Sequence, residues 1–184
     1  MENSESYIVF GPVPSRRLGK SLGINNIPPK ICTYSCVYCQ VGKTLKMEVE
    51  RSLFYDTKEV VKIVENAVKK FQDKNETIDY LSFVPDGEPT LDLELGEKIR
   101  LLKHLGIKIA VISNASLIWQ EKVREDLKEA DWVSLKIDAL TTSTWRKIDR
   151  PHRLLKLDDI LEGIQFFSKE FEGSLNTETM LVRD

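Results

Sequence analysis

Residues 78–116 read IDYLSFVPDGEPTLDLELGEKIRLLKHLGIKIAVISNAS, and this stretch decides the fold class. Ile78 to Val84 is a largely apolar run stopped by Pro85. Thr90 is placed to open a helix whose Leu91, Leu95, Ile99 and Leu102 share one face, and Gly106 closes it. Ile107 to Ile112 is a second apolar run. A strand, a helix and a strand in succession make a parallel pair joined by a right-handed crossover. Strands apolar for most of their length are those that helices cover.

The same unit recurs on both sides. Upstream, Tyr7 to Phe10 is a short strand ended by Gly11, Pro12 and Pro14, and Ser15 to Lys20 is a basic loop. Ser21 to Ile27 is a strand that Pro28 ends. Asp56 and Glu59 have capping-box spacing, ahead of Val60, Val64, Ala67, Val68 and Phe71 at helical period. Downstream come a charged helix over Trp119–Ala130, a strand over Trp132–Ile137 and a loop over Thr141–Lys156. Asp158 caps a helix that buries Ile160, Leu161, Ile164, Phe167 and Phe171 and stops at Gly173, and Leu175 to Val182 is the last strand. Strands alternate with helices four times, the pattern of an α/β fold with parallel strands. One domain over 1–184 is the default for this length. A final strand paired on one side only leaves an exposed edge, which invites a homo-oligomer or a continuation of the sheet.

Composition excludes several classes. Apolar residues make up 41% and charged residues 30%, as in an ordinary globular protein. No run of 18 apolar residues is present, so no membrane span is expected. Met1 to Ser6 is polar and acidic, unlike a secretory signal. The net charge of −2 gives no global nucleic-acid footprint.

All three cysteines fall within Cys-Thr-Tyr-Ser-Cys-Val-Tyr-Cys, residues 32–39, at spacing CxxxCxxC. Such clustering argues against a disulfide framework and fits a reducing cytoplasm. Pro28 and Pro29 precede the motif, so it lies in a loop. Three readings remain open on the residues alone. A structural zinc would need a fourth ligand from the distant His104 or His152. A redox-sensing thiol set is another reading. On a four-iron cluster, three thiolates leave one iron open for chemistry.

The string FGPVPSRRLGKSLGINNIPPKICTYSCVYCQVG, Phe10 to Gly42, with Tyr38 just before the last cysteine, resembles the radical S-adenosylmethionine (radical SAM) superfamily. It is similar to the Fe-S oxidoreductase branch related to the tRNA-wyosine synthases. The resemblance implies a partial (β/α) barrel of about six units, of which this chain stops at the fifth strand, leaving the C-terminal part of the barrel missing. It implies a 4Fe-4S cluster on Cys32, Cys36 and Cys39, with the SAM amino and carboxylate groups on the open iron. One electron would then cleave SAM to a 5′-deoxyadenosyl radical that abstracts hydrogen from substrate. A low-potential electron donor of flavodoxin or ferredoxin type is implied as well.

Further site residues are sought at strand C-terminal ends, where parallel folds bind ligands. Tyr38 would lie against adenine, or be a half-buried loop aromatic. Pro85-Asp86-Gly87-Glu88-Pro89-Thr90 resembles the family's Gly-Gly-Glu motif, which holds the SAM amino group, with Asp86 in place of the first glycine. The alternative is a helix-entry turn capped by Thr90. Ser113 and Asn114 suit a ribose or the methionine carboxylate, or form a plain turn. Ser134, Lys136 and Asp138 share one strand face. There Lys136 and Asp138 would contact SAM or substrate, or simply pair with each other.

Charge is uneven. Thr141 to Lys156 holds Arg146, Lys147, Arg150, His152, Arg153 and Lys156, with Asp149 as its only acid, and Arg16, Arg17, Lys20, Lys43 and Lys46 sit in other loops. Gathered at one rim they would form a basic mouth, suited to tRNA or another anionic substrate or to an acidic electron carrier. Two rival readings are a radical-generating activase of a partner protein and a non-catalytic iron–sulfur or zinc module.

Overall fold

Hydrophobic alternation along the strands builds one six-stranded sheet in the computed structural model, which describes residues 7–183. The reading of Met1–Ser6 lies outside the described residues. Strands β1 (Val9–Ser15), β2 (Gly19–Ile24), β5 (Tyr80–Phe83), β6 (Lys108–Ser113), β7 (Trp132–Lys136) and β8 (Ser174–Glu178) lie side by side in that order. All neighbours from β2 to β8 are parallel, and β1 alone is antiparallel. The crossovers carry α1 (Thr57–Gln72), α2 (Leu95–Leu102), α3 (Glu121–Lys128), α4 (Thr142–Ile148) and α5 (Leu157–Glu170). Five parallel strands with four helical crossovers form the partial (β/α) barrel that the family resemblance implies.

The two faces of the sheet differ in chemistry. Leu22, Ile24, Leu81, Phe83, Ile109, Val111, Val133 and Leu135 are fully buried in one cluster with Val60, Val64, Leu95, Ile99, Val123 and Phe167 of the helices. Each such side chain stabilises the fold by roughly 1.5–3 kcal/mol. The alternate positions mix the small or polar Ser21, Gly23, Ser82, Ala110 and Ser134 with the larger Tyr80, Ile112 and Trp132. Ser21 Oγ meets Ser82 Oγ at 2.5 Å. Leu18, from the β1–β2 turn, packs with Ala110 and Trp132 in a separate small cluster. Apolar side chains thus anchor the helices, and the other face keeps room for polar groups.

Several boundaries differ from the sequence reading. Gly11, Pro12 and Pro14 do not end β1, which continues to Ser15 with a register shift between Phe10 and Val13. An edge strand tolerates proline because one side of it needs no donor. Thr90 does not open an α-helix. Pro89–Leu91 is a single 3-10 turn, and α2 begins only at Leu95, after Glu94 N donates to Asp92 Oδ1 at 3.1 Å. The segment read as a loop contains α4, capped by Thr141 Oγ1. A short parallel pair, β3 (Ile31–Cys32) with β4 (Lys46–Met47), lies within the irregular region around the cysteines. The last strand is shorter than expected and ends at Glu178.

Candidate functional site

The cysteine loop leaves the C-terminal end of β2 and is tied down at three places. Lys30, held at φ 61°, accepts Leu45 N and Lys46 N on its carbonyl at 3.0 and 3.1 Å and donates its own N–H to Asp86 O at 2.6 Å. Ser35 N donates to Asp149 O at 3.0 Å, and Val37 N to Ile148 O at 2.9 Å. Tyr34 is buried edge-on against Trp145, whose Nε1 donates to its hydroxyl at 3.1 Å. The loop is therefore clamped between the β5 end and α4. Cys32 and Cys36 are half-buried and Cys39 is exposed. All three open onto one cavity of about 350 Å³, and onto a smaller one of about 140 Å³ bounded by Val41, Gly42 and Thr44.

The far wall of the larger cavity comes from the ends of β5, β6 and β7. Glu88 is buried and accepts four hydrogen bonds: Thr90 N at 3.1 Å, Thr90 Oγ1 at 2.6 Å, Ser113 Oγ at 2.7 Å and Asn114 N at 2.7 Å. Burial raises its pKa, and those donors oppose the shift. Gly87 lets two backbones touch. A Cβ there would lie 2.1 Å from Ile31 O, in the cysteine loop itself. Asn114 Nδ2 reaches Thr33 Oγ1 at 2.8 Å and Cys32 Sγ at 3.5 Å. Ser134 lines the cavity with a buried hydroxyl that has no hydrogen-bond partner, which a polar ligand would satisfy. Lys136 Nζ sits 4.7 Å above the Tyr38 ring.

Tyr38, Gly87, Glu88, Ser113, Asn114 and Lys136 thus share one cavity with Cys32, Cys36 and Cys39. Asp138 stands apart. It accepts the Tyr38 hydroxyl on one oxygen and Met180 N on the other at 2.7 Å. No Lys136–Asp138 ion pair forms among the described residues. Asp149 is a participant that the sequence singled out only as the lone acid of a basic stretch. It is buried, 3.3 Å from the Tyr38 hydroxyl and 3.5 Å from Cys36 Sγ. Burial and the neighbouring Asp138 push its pKa up to about 7. Arg17 reaches Glu178 on the cavity wall, while Arg146, Arg150, Arg153 and Lys156 do not line it.

The thiols fit a cluster better than a zinc ion. His104 is exposed, with Nδ1 2.7 Å from Leu101 O and Nε2 3.1 Å from Glu65, and His152, whose backbone N–H donates to Thr33 O at 2.9 Å, has Nδ1 accepting Leu154 N at 3.3 Å. Among the described residues, no three His, Cys, Asp or Glu side chains surround a single-ion position. Burial, with the Glu88 carboxylate nearby, pushes the Cys32 thiol up to about 12. Burial, followed by Asp149, raises Cys36 as well. Ligation by a cation would have to drive both protons off.

Comparison with known proteins agrees with this geometry. The chain is 53% identical over 175 residues to a UPF0026 protein of Methanocaldococcus jannaschii, covering 95% of this chain and 54% of that one. It spans 54% of the length of that protein and 59% of that of a Helicobacter pylori UPF0026 protein, which it matches at 38% identity. Its fold resembles a solved structure of TYW1 with a lysine-pyruvate adduct bound, with a TM-score of 0.62 and 16% identity over 100% of this chain and 61% of the other. The radical SAM superfamily model matches residues 26–183, from the end of β2 through β8. Members of that family use a 4Fe-4S cluster and SAM. With the full cysteine loop and the four parallel strands β5 to β8 inside the match, this chain belongs to the radical SAM superfamily.

Proposed function

We propose that this chain is the core of a radical SAM oxidoreductase that holds its cluster on Cys32, Cys36 and Cys39 and its SAM in the adjoining cavity. The observation that carries this reading is the convergence of three thiols and the Glu88, Ser113, Asn114, Ser134 and Lys136 wall on one space of about 350 Å³. A cluster held by Cys32, Cys36 and Cys39 would supply one electron, taken from a low-potential donor, for reductive cleavage of SAM to methionine and a 5′-deoxyadenosyl radical that abstracts hydrogen. The protein's own residues bind and orient. Glu88, an acceptor already fixed by four donors, meets the SAM amino group with a preorganised carboxylate. Ser134 and Lys136 offer a hydroxyl and a cation on the opposite side. The Tyr38 ring, held by Asp138 and Asp149, stacks against the adenine.

The substrate reading is tRNA or another anionic molecule. Arg146, Arg150, Arg153 and Lys156 are exposed, and their segment has no exposed acid because Asp149 is buried. Their segment meets the cysteine loop where Ser35 N and Val37 N donate to the carbonyls of Asp149, Arg150 and Ile148, so the same face would also accept an acidic flavodoxin- or ferredoxin-type donor. A reducing, cytoplasmic setting keeps the thiols free for iron. Among the described residues, no helix is long and apolar enough to cross a membrane. The exposed edge of β8 would serve a homo-oligomer or a continuation of the barrel.

Anaerobic reconstitution with iron and sulfide, followed by reduction with SAM present, tests the reading. The expected products are 5′-deoxyadenosine and methionine. Cys36→Ala should lose the cluster's visible absorbance and the SAM cleavage together. Cluster uptake without any cleavage would leave a binding module rather than an enzyme.

A further inference from the structure

The side chain of Asn114 is engaged on the cysteine side of the cavity, although its residue type and place suit a ribose or carboxylate contact. Its orientation is fixed by its partners. The amide oxygen accepts Ser116 N at 3.0 Å, so the amide nitrogen must face the other way. That nitrogen carries two hydrogens and has two acceptors, Thr33 Oγ1 at 2.8 Å and Cys32 Sγ at 3.5 Å. Thr33 is itself held, since Ser116 Oγ donates to the same hydroxyl at 2.7 Å. The backbone N–H of Asn114 meanwhile donates to Glu88 Oε2 at 2.7 Å. One residue therefore touches a thiol ligand with its side chain and the Glu88 carboxylate with its backbone.

We propose that Asn114 is a redox-positioning residue, its side-chain amide donating to the Cys32 sulfur and making the cluster easier to reduce. The proposal rests on Cys32 being a cluster ligand. Reduction adds negative charge to the cluster and its sulfurs, and a donor aimed at a sulfur stabilises that charge. The N–H···S geometry is in place before any metal arrives. Thr33 and Ser116 hold the amide there, so no reorganisation is needed when the electron enters. A side chain devoted to ribose would instead have both amide atoms available toward the cavity.

The test is a redox titration of the reconstituted protein followed by electron paramagnetic resonance without SAM, which removes any effect on SAM binding. Asn114→Ala removes the donor and Asn114→Asp replaces it with an acceptor carrying negative charge. At equal iron content, the midpoint potential should fall in the order wild type, Asn114→Ala, Asn114→Asp. Equal potentials in wild type and Asn114→Ala would overturn the proposal while leaving the cluster assignment intact. Loss of the cluster in both variants would overturn it too, by making Asn114 a packing residue. A wild-type protein that takes up no iron and sulfide would sink the cluster reading and this proposal with it.

Discussion

Gly87 and Glu88 carry two separate demands in adjacent positions. Glycine lets another main chain or a ligand come close, and at Gly87 the protein's own main chain does so. A Cβ there would meet Ile31 O at 2.1 Å and Ile27 Cδ1 at 2.9 Å. The side chain of Ile27 can turn aside, but Ile31 O cannot, since it accepts Glu88 N at 3.2 Å. Gly87→Ala should therefore push the cysteine loop away from β5 and cost about 1–3 kcal/mol, the usual range for overpacking. Chemical denaturation measures the cost, and iron retention after reconstitution should fall with it. An unchanged midpoint with full iron content would mean the two segments separate freely. The Gly-Glu pair was legible from the resemblance of the strand-end segment 85–90 to the family's Gly-Gly-Glu motif. The reason for the glycine was not, because its partner is distant in sequence and no local pattern announces a contact between two loops.

At the level of elements, the loop that carries Glu88 is braced from below by buried charge. Asp92 and Lys98 are both fully buried and 3.0 Å apart, and Asn26 Nδ2 donates to Asp92 at 3.0 Å and to Pro89 O at 3.0 Å. Arg51 adds donors to Thr90 O at 2.9 Å and Asp92 O at 2.7 Å. The strand that leads into the cysteine loop, the 3-10 turn and α2 thus share one network. Lys98→Met keeps the length of the side chain but strands the Asp92 carboxylate, so a loss of about 3–5 kcal/mol is expected. Adding Asp92→Asn should recover part of it, because the uncompensated charge goes. Urea denaturation of both variants checks this, and a Lys98→Met protein as stable as wild type would show that the pair does not brace the loop. Sequence periodicity found the helix but put its start at Thr90, since Leu91 and Leu95 fit the helical face whether or not the turn between them is α. It missed α4 for another reason. Thr142-Ser143-Thr144 has low helix propensity, and the element has one buried side chain, Trp145, whose anchor Tyr34 lies in the cysteine loop.

Across the whole molecule, a near-neutral sum conceals a local field. The net charge is −2, yet five of the eleven residues from Arg146 to Lys156 are Arg or Lys and the one acid among them is buried. Some acidic side chains elsewhere pair locally, as Glu129 does with Arg100 and Lys103. Screening limits the field's reach to about 10 Å at 0.1 M salt, so it acts on a partner already close to the cysteine loop. Arg150 is held at φ 46°, a conformation that asparagine tolerates, so Arg150→Asn with Arg153→Gln removes two charges without new backbone strain. If both arginines meet phosphates, retention of bulk tRNA should weaken. The slope of log affinity against log salt should then become shallower by about 1.4, from about 0.7 per phosphate contact on single strands. A parallel titration with an acidic flavodoxin separates the two partners, since a carrier that docks on this face loses electron-transfer rate at low salt in the same variant. Unchanged slopes for tRNA and an unchanged rate for the carrier would assign the segment to plain solvation and leave the cavity, with Lys136 in its wall, as the place where negative charge is recognised.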